Sequence, residues 1–272
     1  MRFNQFLQTL SFSLLFGVTT ITAQQVETKK INVLPNEVID ILVDHSEVKI
    51  RTWNKDYVEV KSSISIDNDK NNDKHTLTIL NNADGVEIKS KVDYSQLQRM
   101  VFSGKDGKEE VQGPLQGFSN KNNHGLNQKM RFGYDVKGEI EINIPIDMEI
   151  NLSATYGSIS VEGEYRMIDA STTYGGIEAK LKDALGMTHL QLGATYSDVD
   201  LSIEENSSAK FELNTTYGEV HSNLNLSTED GKQNINNKKA CSSGNYVLNE
   251  GKADVELNAT YGDIYIRKLE ME

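Results

Sequence analysis

The chain has 272 residues, a formal net charge of −12 at pH 7 and 37 % hydrophobic residues. Its length accommodates one or two ordinary domains, and its 40 acidic residues outnumber its 28 basic ones, which leaves no basic stripe for binding phosphates. We therefore expect no nucleic-acid partner and no attraction to an anionic membrane surface. The low hydrophobic fraction is typical of thin sheets that keep one face in water.

Residues 1–23 have the layout of a secretory signal peptide. Arg2 precedes an apolar run that extends from Phe6 to Val18, and the small residue Ala23 closes the segment. The run is too short and too often interrupted by polar residues to span a bilayer. We expect cleavage after Ala23, no membrane insertion afterwards, and a net charge of −13 once Arg2 is removed from the total of −12. The predicted localisation is periplasmic, or else secreted or associated with the outer membrane.

Residues 24–94 form the predicted N-terminal β region and the start of the repeat architecture. Apolar and polar residues alternate here, which predicts strands with one inward face. The alternating apolar residues are Ile39, Ile41, Val43, Val48, Ile50, Val58, Val60, Ile64, Leu77, Ile79, Val86 and Ile88. Residues 95–131 break this alternation with several glycines and an asparagine-rich run, so we predict a flexible insertion there.

One short motif, Ala/Thr-Thr-Tyr followed by Gly or Ser, occurs five times in residues 132–272. Its predicted structural positions are Thr155, Tyr156, Gly157, Thr173, Tyr174, Gly175, Thr195, Tyr196, Thr216, Tyr217, Gly218, Thr260, Tyr261 and Gly262. The tyrosines are 18, 22, 21 and 44 residues apart, which indicates a repeat architecture with turns of about 22 residues. We predict that residues 227–252 account for the doubled last spacing, either as a degenerate turn or as a loop inserted between adjacent turns.

Each tyrosine has apolar residues six and four positions before it and three positions after it, and all but Tyr217, which is followed by Ser222, also have one five positions after it. The apolar residues therefore fall on even-numbered positions before the tyrosine and on odd-numbered positions after it. This break in the two-residue alternation requires a corner or bulge directly after the tyrosine. Glycine suits a corner because it adopts positive φ at little cost, although Ser197 holds this place in the third copy. A degenerate copy has His45 in the tyrosine position, 111 residues or about five periods before Tyr156.

These patterns predict an all-β chain that forms a parallel β-solenoid of about 22-residue turns. An antiparallel β-sandwich or meander is the alternative. Three segments, Ile140 to Pro145, Ile150 to Val161 and Val48 to Val60, resemble a bacterial adhesin-like domain family of unknown function. The resemblance covers most of residues 31–266 outside the two insertions, and it implies an exported β-solenoid without catalytic or cofactor-binding residues.

The tyrosines have two interpretations. Their alternation with buried positions favours a ladder packed in the core at a corner, with hydroxyl groups that reach solvent. The alternative is an exposed aromatic strip that binds sugars or proteins. If the tyrosines pack in the core, the threonine before each of them contributes to an outward column of hydroxyl groups.

A small acidic patch is the candidate metal site. If adjacent turns lie about 4.8 Å apart, outward positions bring together Asp198, Asp200, Glu219 and His221. Carboxylate oxygens are suitable ligands for Ca²⁺, but charged residues on an outward strand face are usually solvated. We therefore predict no metal and no other cofactor, and keep a weak Ca²⁺-binding surface as an alternative.

The motifs of common catalytic sites are absent from the sequence, since it has no Gly-x-Ser-x-Gly elbow, no His-Glu-x-x-His pair and no phosphate loop. We expect a non-enzymatic protein of the cell envelope that serves as a scaffold or an adhesin-like binding surface. The expected partner is a protein or glycan of the envelope. A carbohydrate-active β-helix enzyme, which would need paired carboxylates, is the alternative from a different class.

Overall fold

The computed structural model describes residues 26–82, 85–96, 99–104, 107–112, 131–132, 135–182, 186–228, 230–231, 234–235 and 243–270. The predicted signal peptide, residues 1–23, lies outside the described residues. In the described part of the chain, no helix is long and apolar enough to cross a membrane.

Strands account for nearly all of the regular structure, with two short 3₁₀-helices at Asn72–Lys74 and Tyr94–Gln96. The first ten strands are β1 (Val26–Asn32), β2 (Val38–Val43), β3 (Glu47–Trp53), β4 (Tyr57–Ile66), β5 (His75–Asn82), β6 (Gly85–Val92), β7 (Arg99–Gly104), β8 (Gly107–Gln112), β9 (Arg131–Phe132) and β10 (Val136–Pro145). The next are β11 (Glu149–Ala154), β12 (Ile159–Gly163), β13 (Met167–Thr172), β14 (Ile177–Leu181), β15 (His189–Ala194), β16 (Val199–Ile203), β17 (Ala209–Thr215), β18 (Val220–Ser222), β19 (Leu226–Thr228), β20 (Asn234–Ile235), β21 (Gly244–Leu248), β22 (Ala253–Ala259) and β23 (Ile264–Lys268).

Two large mixed sheets contain most of these strands. The nine-stranded sheet has the order β1-β4-β10-β3-β12-β14-β16-β23-β18, and the eleven-stranded sheet has the order β20-β19-β21-β17-β22-β15-β13-β11-β2-β6-β5. Pairing is parallel from β10 to β18 in the first sheet and from β17 to β6 in the second. Antiparallel pairs flank both parallel runs. The all-β prediction is confirmed, and the prediction of wholly parallel pairing is wrong for these flanking strands.

The parallel runs are built from a recurring unit, which consists of one strand of the eleven-stranded sheet, a corner, and the next strand of the nine-stranded sheet. We name each unit by its corner aromatic residue. Neighbouring units are in register, so that Ile150 lies opposite both Ile39 and Ile168. The apolar positions of the sequence template are buried between the two sheets, in the core of the molecule, and only Ser222, at the last position of the Tyr217 unit, is half-buried. In-register pairing therefore places chemically similar residues in columns that run across the strands.

The units do not follow one another in chain order. Strand β22 lies between β15 and β17, and β23 lies between β16 and β18, so the Tyr261 unit separates the Tyr196 and Tyr217 units. The Tyr217 and Tyr261 units are nevertheless neighbours, as a loop inserted between adjacent turns requires. Strand β21 pairs in antiparallel orientation with the outer edge of β17, the edge that faces away from the parallel run. Strand β22 therefore pairs with the opposite, inner edge of β17. The His45 unit directly adjoins the Tyr156 unit through β2 and β11, although 111 residues separate His45 from Tyr156 in the chain.

Residues 95–131, predicted as a flexible insertion, contain strands of their own. Strands β7, β8 and β9 form a separate three-stranded antiparallel sheet. The strands described within the predicted insertion thus belong to neither large sheet, while residues 97–98, 105–106 and 113–130 lie outside the described residues.

The corner glycines are required for a different reason than the one the sequence suggested. Gly157, Gly175, Gly218 and Gly262 are not among the residues with positive φ, so the argument from left-handed backbone is wrong. A Cβ atom on Gly175 would lie 2.2 Å from the carbonyl oxygen of Gly157 in the neighbouring unit, and one on Gly262 would lie 2.1 Å from the carbonyl oxygen of Ser197. Close approach of the stacked backbones therefore excludes a side chain at these corners.

Replacing Gly175 with alanine should lower the free energy of unfolding by about 2–3 kcal/mol or more, because the new methyl group meets rigid backbone. Urea denaturation monitored by circular dichroism measures the loss. The control is Gly193→Ala, where a Cβ atom has no neighbour within 4 Å and the change should stay within about 0.5 kcal/mol. Equal effects of the two substitutions would contradict the close-approach explanation.

Candidate functional site

Backbone hydrogen bonds between neighbouring corners hold each aromatic residue in line with the strands of its own unit. The backbone N–H of Tyr174 donates to Thr155 O at 3.0 Å, and that of Tyr196 donates to Thr173 O at 3.0 Å. The same pattern continues where Tyr261 N donates to Thr195 O at 2.9 Å. Interstrand hydrogen bonding thus extends around the corner, and each ring is held directly above the next.

The five tyrosine rings form one stacked column, which we call the tyrosine ladder. Its members in spatial order are Tyr156, Tyr174, Tyr196, Tyr261 and Tyr217. Successive ring centroids lie 4.8–5.0 Å apart and the ring planes differ by 2–9°. This centroid distance equals the spacing of neighbouring strands, about 4.8 Å, so the face of each inner ring is covered by the next ring.

The ladder lies on the surface and not in the core. Tyr156, Tyr174 and Tyr261 are each 53 % exposed, and Tyr217 is 71 % exposed. The prediction of core packing is wrong because strand alternation ends at residue 154 in the first copy, and the bend that follows turns the ring outward. Among the large apolar side chains that the structure describes as exposed, half belong to this ladder.

One end of the ladder is capped by two further rings, and the other end, at Tyr217, is open among the described residues. His45 lies 4.1 Å from Tyr156 between ring centroids, and Tyr94 lies 4.7 Å from His45. The Tyr94 hydroxyl and His45 Nδ1 are hydrogen-bonded, and burial lowers the pKa of His45 despite the opposing charge of Asp44. At the other end, Tyr217 stacks only on Tyr261 among the described aromatic rings.

The threonines that precede the tyrosines are less exposed than predicted. Thr216 is exposed, while the other four are half-buried, namely Thr155, Thr173, Thr195 and Thr260. They lie along the ladder and contribute a polar margin rather than a fully outward hydroxyl column.

Three carboxylates two positions after their tyrosines form a row beside the ladder. We call Asp198, Asp263 and Glu219 the carboxylate row. The backbone N–H of Asp263 donates to Asp198 Oδ1 at 2.7 Å, and that of Glu219 donates to Asp263 Oδ1 at 2.8 Å. Two of the carboxylates therefore bind the backbone of the next unit. Sequence reasoning missed Asp263 because chain order does not reveal that its unit lies between the other two.

The structure assembles only part of the acidic patch drawn from the sequence, since Glu219 and His221 lie close together but the Tyr261 unit separates them from Asp198 and Asp200. Tyr265 lies between Asp200 and His221, and Asp263 lies between Asp198 and Glu219. Asp200 accepts from Arg267 Nε at 2.8 Å. Across the described ranges, no group of three or more His, Cys, Asp or Glu residues is arranged to hold a metal ion.

A shallow groove of about 560 Å³ crosses the outward face of the nine-stranded sheet. Its lining combines small residues, such as Ser158, Ser160 and Gly176, with charged ones, among them Lys49 and Arg267. Lys49 Nζ lies 2.7 Å from Glu139 Oε2, which raises the pKa of Lys49. Arg267 pairs with Asp200 and lies 4.7 Å from the Tyr265 ring centroid. These charges form ion pairs across strands, which favours a structural role for them.

Comparison with protein-family models matches residues 148–267 to a family described as Toastrack DUF4097. The matched range includes the five tyrosine units. The resemblance to an adhesin-like family of unknown function is thereby confirmed. A comparison with curated protein sequences gives no match.

Comparison with solved structures finds matches among bacterial proteins. A putative cell adhesion protein from Clostridium sporogenes is 12 % identical, with a TM-score of 0.54, over 90 % of this chain and 100 % of that one. Putative adhesins from Parabacteroides merdae (8 % identical, TM-score 0.29, 89 % and 96 % covered) and Bacteroides fragilis (7 %, 0.29, 90 % and 98 %) also match. The first likeness shows a shared fold, and the scores of the other two are too low to add to it.

Tyr196→Ala should lower the free energy of unfolding by about 1–3 kcal/mol, because it removes two stacking contacts of about 0.5–1.5 kcal/mol each. Tyr217→Ala removes one contact and should cost about half as much. Chemical denaturation of both variants and of Tyr196→Phe, which keeps the stack, measures the difference. Equal losses for Tyr196→Ala and Tyr217→Ala would show that stacking does not determine the stability of the ladder.

Proposed function

We propose that this chain, which carries a Toastrack domain over residues 148–267, is an exported β-solenoid whose tyrosine ladder is a binding surface in the cell envelope. Two parallel runs of strands joined by corners support the solenoid description. The signal-like segment at residues 1–23 supports export.

The exposed tyrosine ladder is the observation that carries the binding role. Five half-exposed aromatic rings in one continuous column are unusual on a soluble surface, and exposed apolar patches commonly mark interaction sites. Tyrosine is also favoured in protein interfaces, because its large ring loses little conformational entropy on binding. The same hydrogen bonds that stack the units hold the rings in place, so the surface is formed before a partner arrives.

We propose further that the protein has no catalytic activity. Of the carboxylates on the outward face of the nine-stranded sheet, Asp200 and Glu139 pair with cations across strands, and Glu178 pairs with Lys180 at 2.7 Å. Hydrolysis of a glycosidic bond needs one carboxyl group that acts as an acid and a second that stays ionised. Each carboxylate named here already has a cationic partner within the protein, which supports a binding role over a hydrolytic one.

The mature chain, residues 24–272, should sediment with a cell-envelope fraction of its source organism. A variant with Tyr174, Tyr196 and Tyr261 all replaced by leucine should bind this envelope fraction at least about tenfold more weakly than the wild type, since aromatic residues dominate binding at such surfaces. Tyr57→Leu, which alters a tyrosine outside the ladder, is the matched control and should bind like the wild type.

Thermal melting of each variant checks that the folded state persists at the temperature of the assay. Envelope binding that is unchanged in the folded triple variant would contradict the role of the ladder. Absence of binding by the wild-type chain would contradict the proposed function as a whole.

A further inference from the structure

The surface around the tyrosine ladder has a strongly biased charge. The corner segments 43–47, 154–158, 172–176, 194–198, 215–219 and 259–263 contain no lysine or arginine. They contain five carboxylates, namely Asp44, Glu47, Asp198, Glu219 and Asp263. The chain as a whole has 28 basic residues among 272, so their absence from all six corners leaves the ladder with an anionic border.

The negative charge is concentrated at the open end of the ladder. The carboxylate row belongs to three consecutive units, those of Tyr196, Tyr261 and Tyr217, and backbone N–H groups hold Asp198 and Asp263 in position. The side chain of Glu219 is 65 % exposed and that of Asp263 is 35 % exposed. His221 Nε2 lies 3.9 Å from Glu219 Oε2 and 3.8 Å from Asp263 Oδ2, and the Tyr265 hydroxyl donates to Asp263 Oδ2 at 3.1 Å.

Among the described residues, the ladder offers a ring face to a ligand only at Tyr217. The inner rings are covered on both sides by their neighbours at 4.8–5.0 Å. Tyr217 stacks on Tyr261 with one face and is the most exposed ring of the ladder at 71 %. An aromatic face attracts cations, whereas the ring edge carries the opposite partial charge. Sugar rings also stack on faces, so a ladder of covered faces is poorly suited to a glycan chain.

We propose that the open end of the ladder docks an extended, lysine- or arginine-rich segment of a partner polypeptide. One cationic side chain lies over the outer face of Tyr217, and others lie along the carboxylate row. The phenol oxygens of Tyr261 and Tyr196 accept hydrogen bonds from the same segment. The inference rests on the proposed function, because it names the partner of the same surface.

Charge complementarity and the geometry of the surface both lead to this partner. The carboxylates are spaced by about one strand separation, so an extended segment that runs across the strands meets a negative group at each unit. At an ionic strength of 0.15 M the electrostatic screening length is about 8 Å, and the row therefore acts on a cationic segment as one combined charge.

The test is titration of the mature chain with a short fluorescent peptide in which lysine and alanine alternate, followed by fluorescence anisotropy. A peptide with glutamine in place of lysine is the neutral control. Binding of the lysine peptide should weaken as salt is raised, and Glu219→Gln combined with Asp263→Asn should weaken it by about tenfold. The side-chain oxygen introduced by Asp263→Asn can still accept the hydrogen bond from the backbone N–H of residue 219.

The matched control removes the same two charges from the same two units on the opposite side of the corner. Glu212→Gln combined with Asp254→Asn changes exposed residues of β17 and β22 and should leave the affinity for the peptide nearly unchanged. Tyr217→Leu should weaken binding several-fold through loss of the ring face, while Tyr217→Phe should retain it.

Equal effects of the two charge-removing pairs would overturn the proposal and leave only nonspecific attraction to an acidic protein. Binding of an envelope polysaccharide that is sensitive to the ladder but not to the Glu219 and Asp263 substitutions would overturn the cationic partner while preserving the proposed function. Absence of envelope binding by the wild-type chain would instead contradict the proposed function itself, and sedimentation measures it separately.

Discussion

Parallel hydrogen bonding in register between units is the constraint on which the other features of this molecule depend. Each unit donates and accepts backbone hydrogen bonds along both strands and around the corner between them. The bonds from Tyr174 N to Thr155 O and from Tyr261 N to Thr195 O, each in the neighbouring unit, show this at the corner. Because register is kept, a residue type repeated in sequence becomes a column in space. The apolar columns form the core, the glycines allow close approach of the backbones, and the tyrosines form a stack at the strand spacing.

Much of this architecture could be predicted from residue spacing. The template placed Ile39, Val48 and Ile50 in a degenerate copy around His45, and the structure buries all three in line with their counterparts. The apolar positions on both sides of each tyrosine were likewise predictable, because alternation within a strand and the change of phase at the corner are properties of the local sequence. In these positions local pattern and tertiary packing agree.

Three features could not be predicted, each for a physical reason. The outward direction of the rings depends on the bend, which ends the alternation that would have placed them inside. The need for Gly175 and Gly262 arises from a neighbouring carbonyl group, a contact that sequence alone does not contain. The order of the units escaped prediction because all of them present the same columns, so either order would stack the tyrosines. Pairing of β21 with the outer edge of β17 sets the observed order.

The order of the units in turn shapes the proposed binding surface. Insertion of the Tyr261 unit adds Asp263 to the space between Asp198 and Glu219, which completes the carboxylate row and separates Asp200 from His221. Stacking also determines which groups of the ladder are accessible to a partner. It covers the faces of the inner rings and leaves their edges and hydroxyl groups exposed. A surface of this kind is rigid, anionic and aromatic, and its recognition properties follow from the same pairing that stabilises the fold.

The most direct test of this account is disulfide formation between cysteines placed on neighbouring strands, in a chain whose native cysteine is changed by Cys241→Ser. Gly193 and Asn258 are paired residues of β15 and β22, about 4.8 Å apart and within the range that a disulfide spans. Gly193 and Asn214 are separated by the intervening strand, at about twice that distance. We expect rapid oxidation of the Gly193→Cys, Asn258→Cys variant and none of the Gly193→Cys, Asn214→Cys variant under mild conditions. The reverse result would show that the units stack in chain order and would contradict the account.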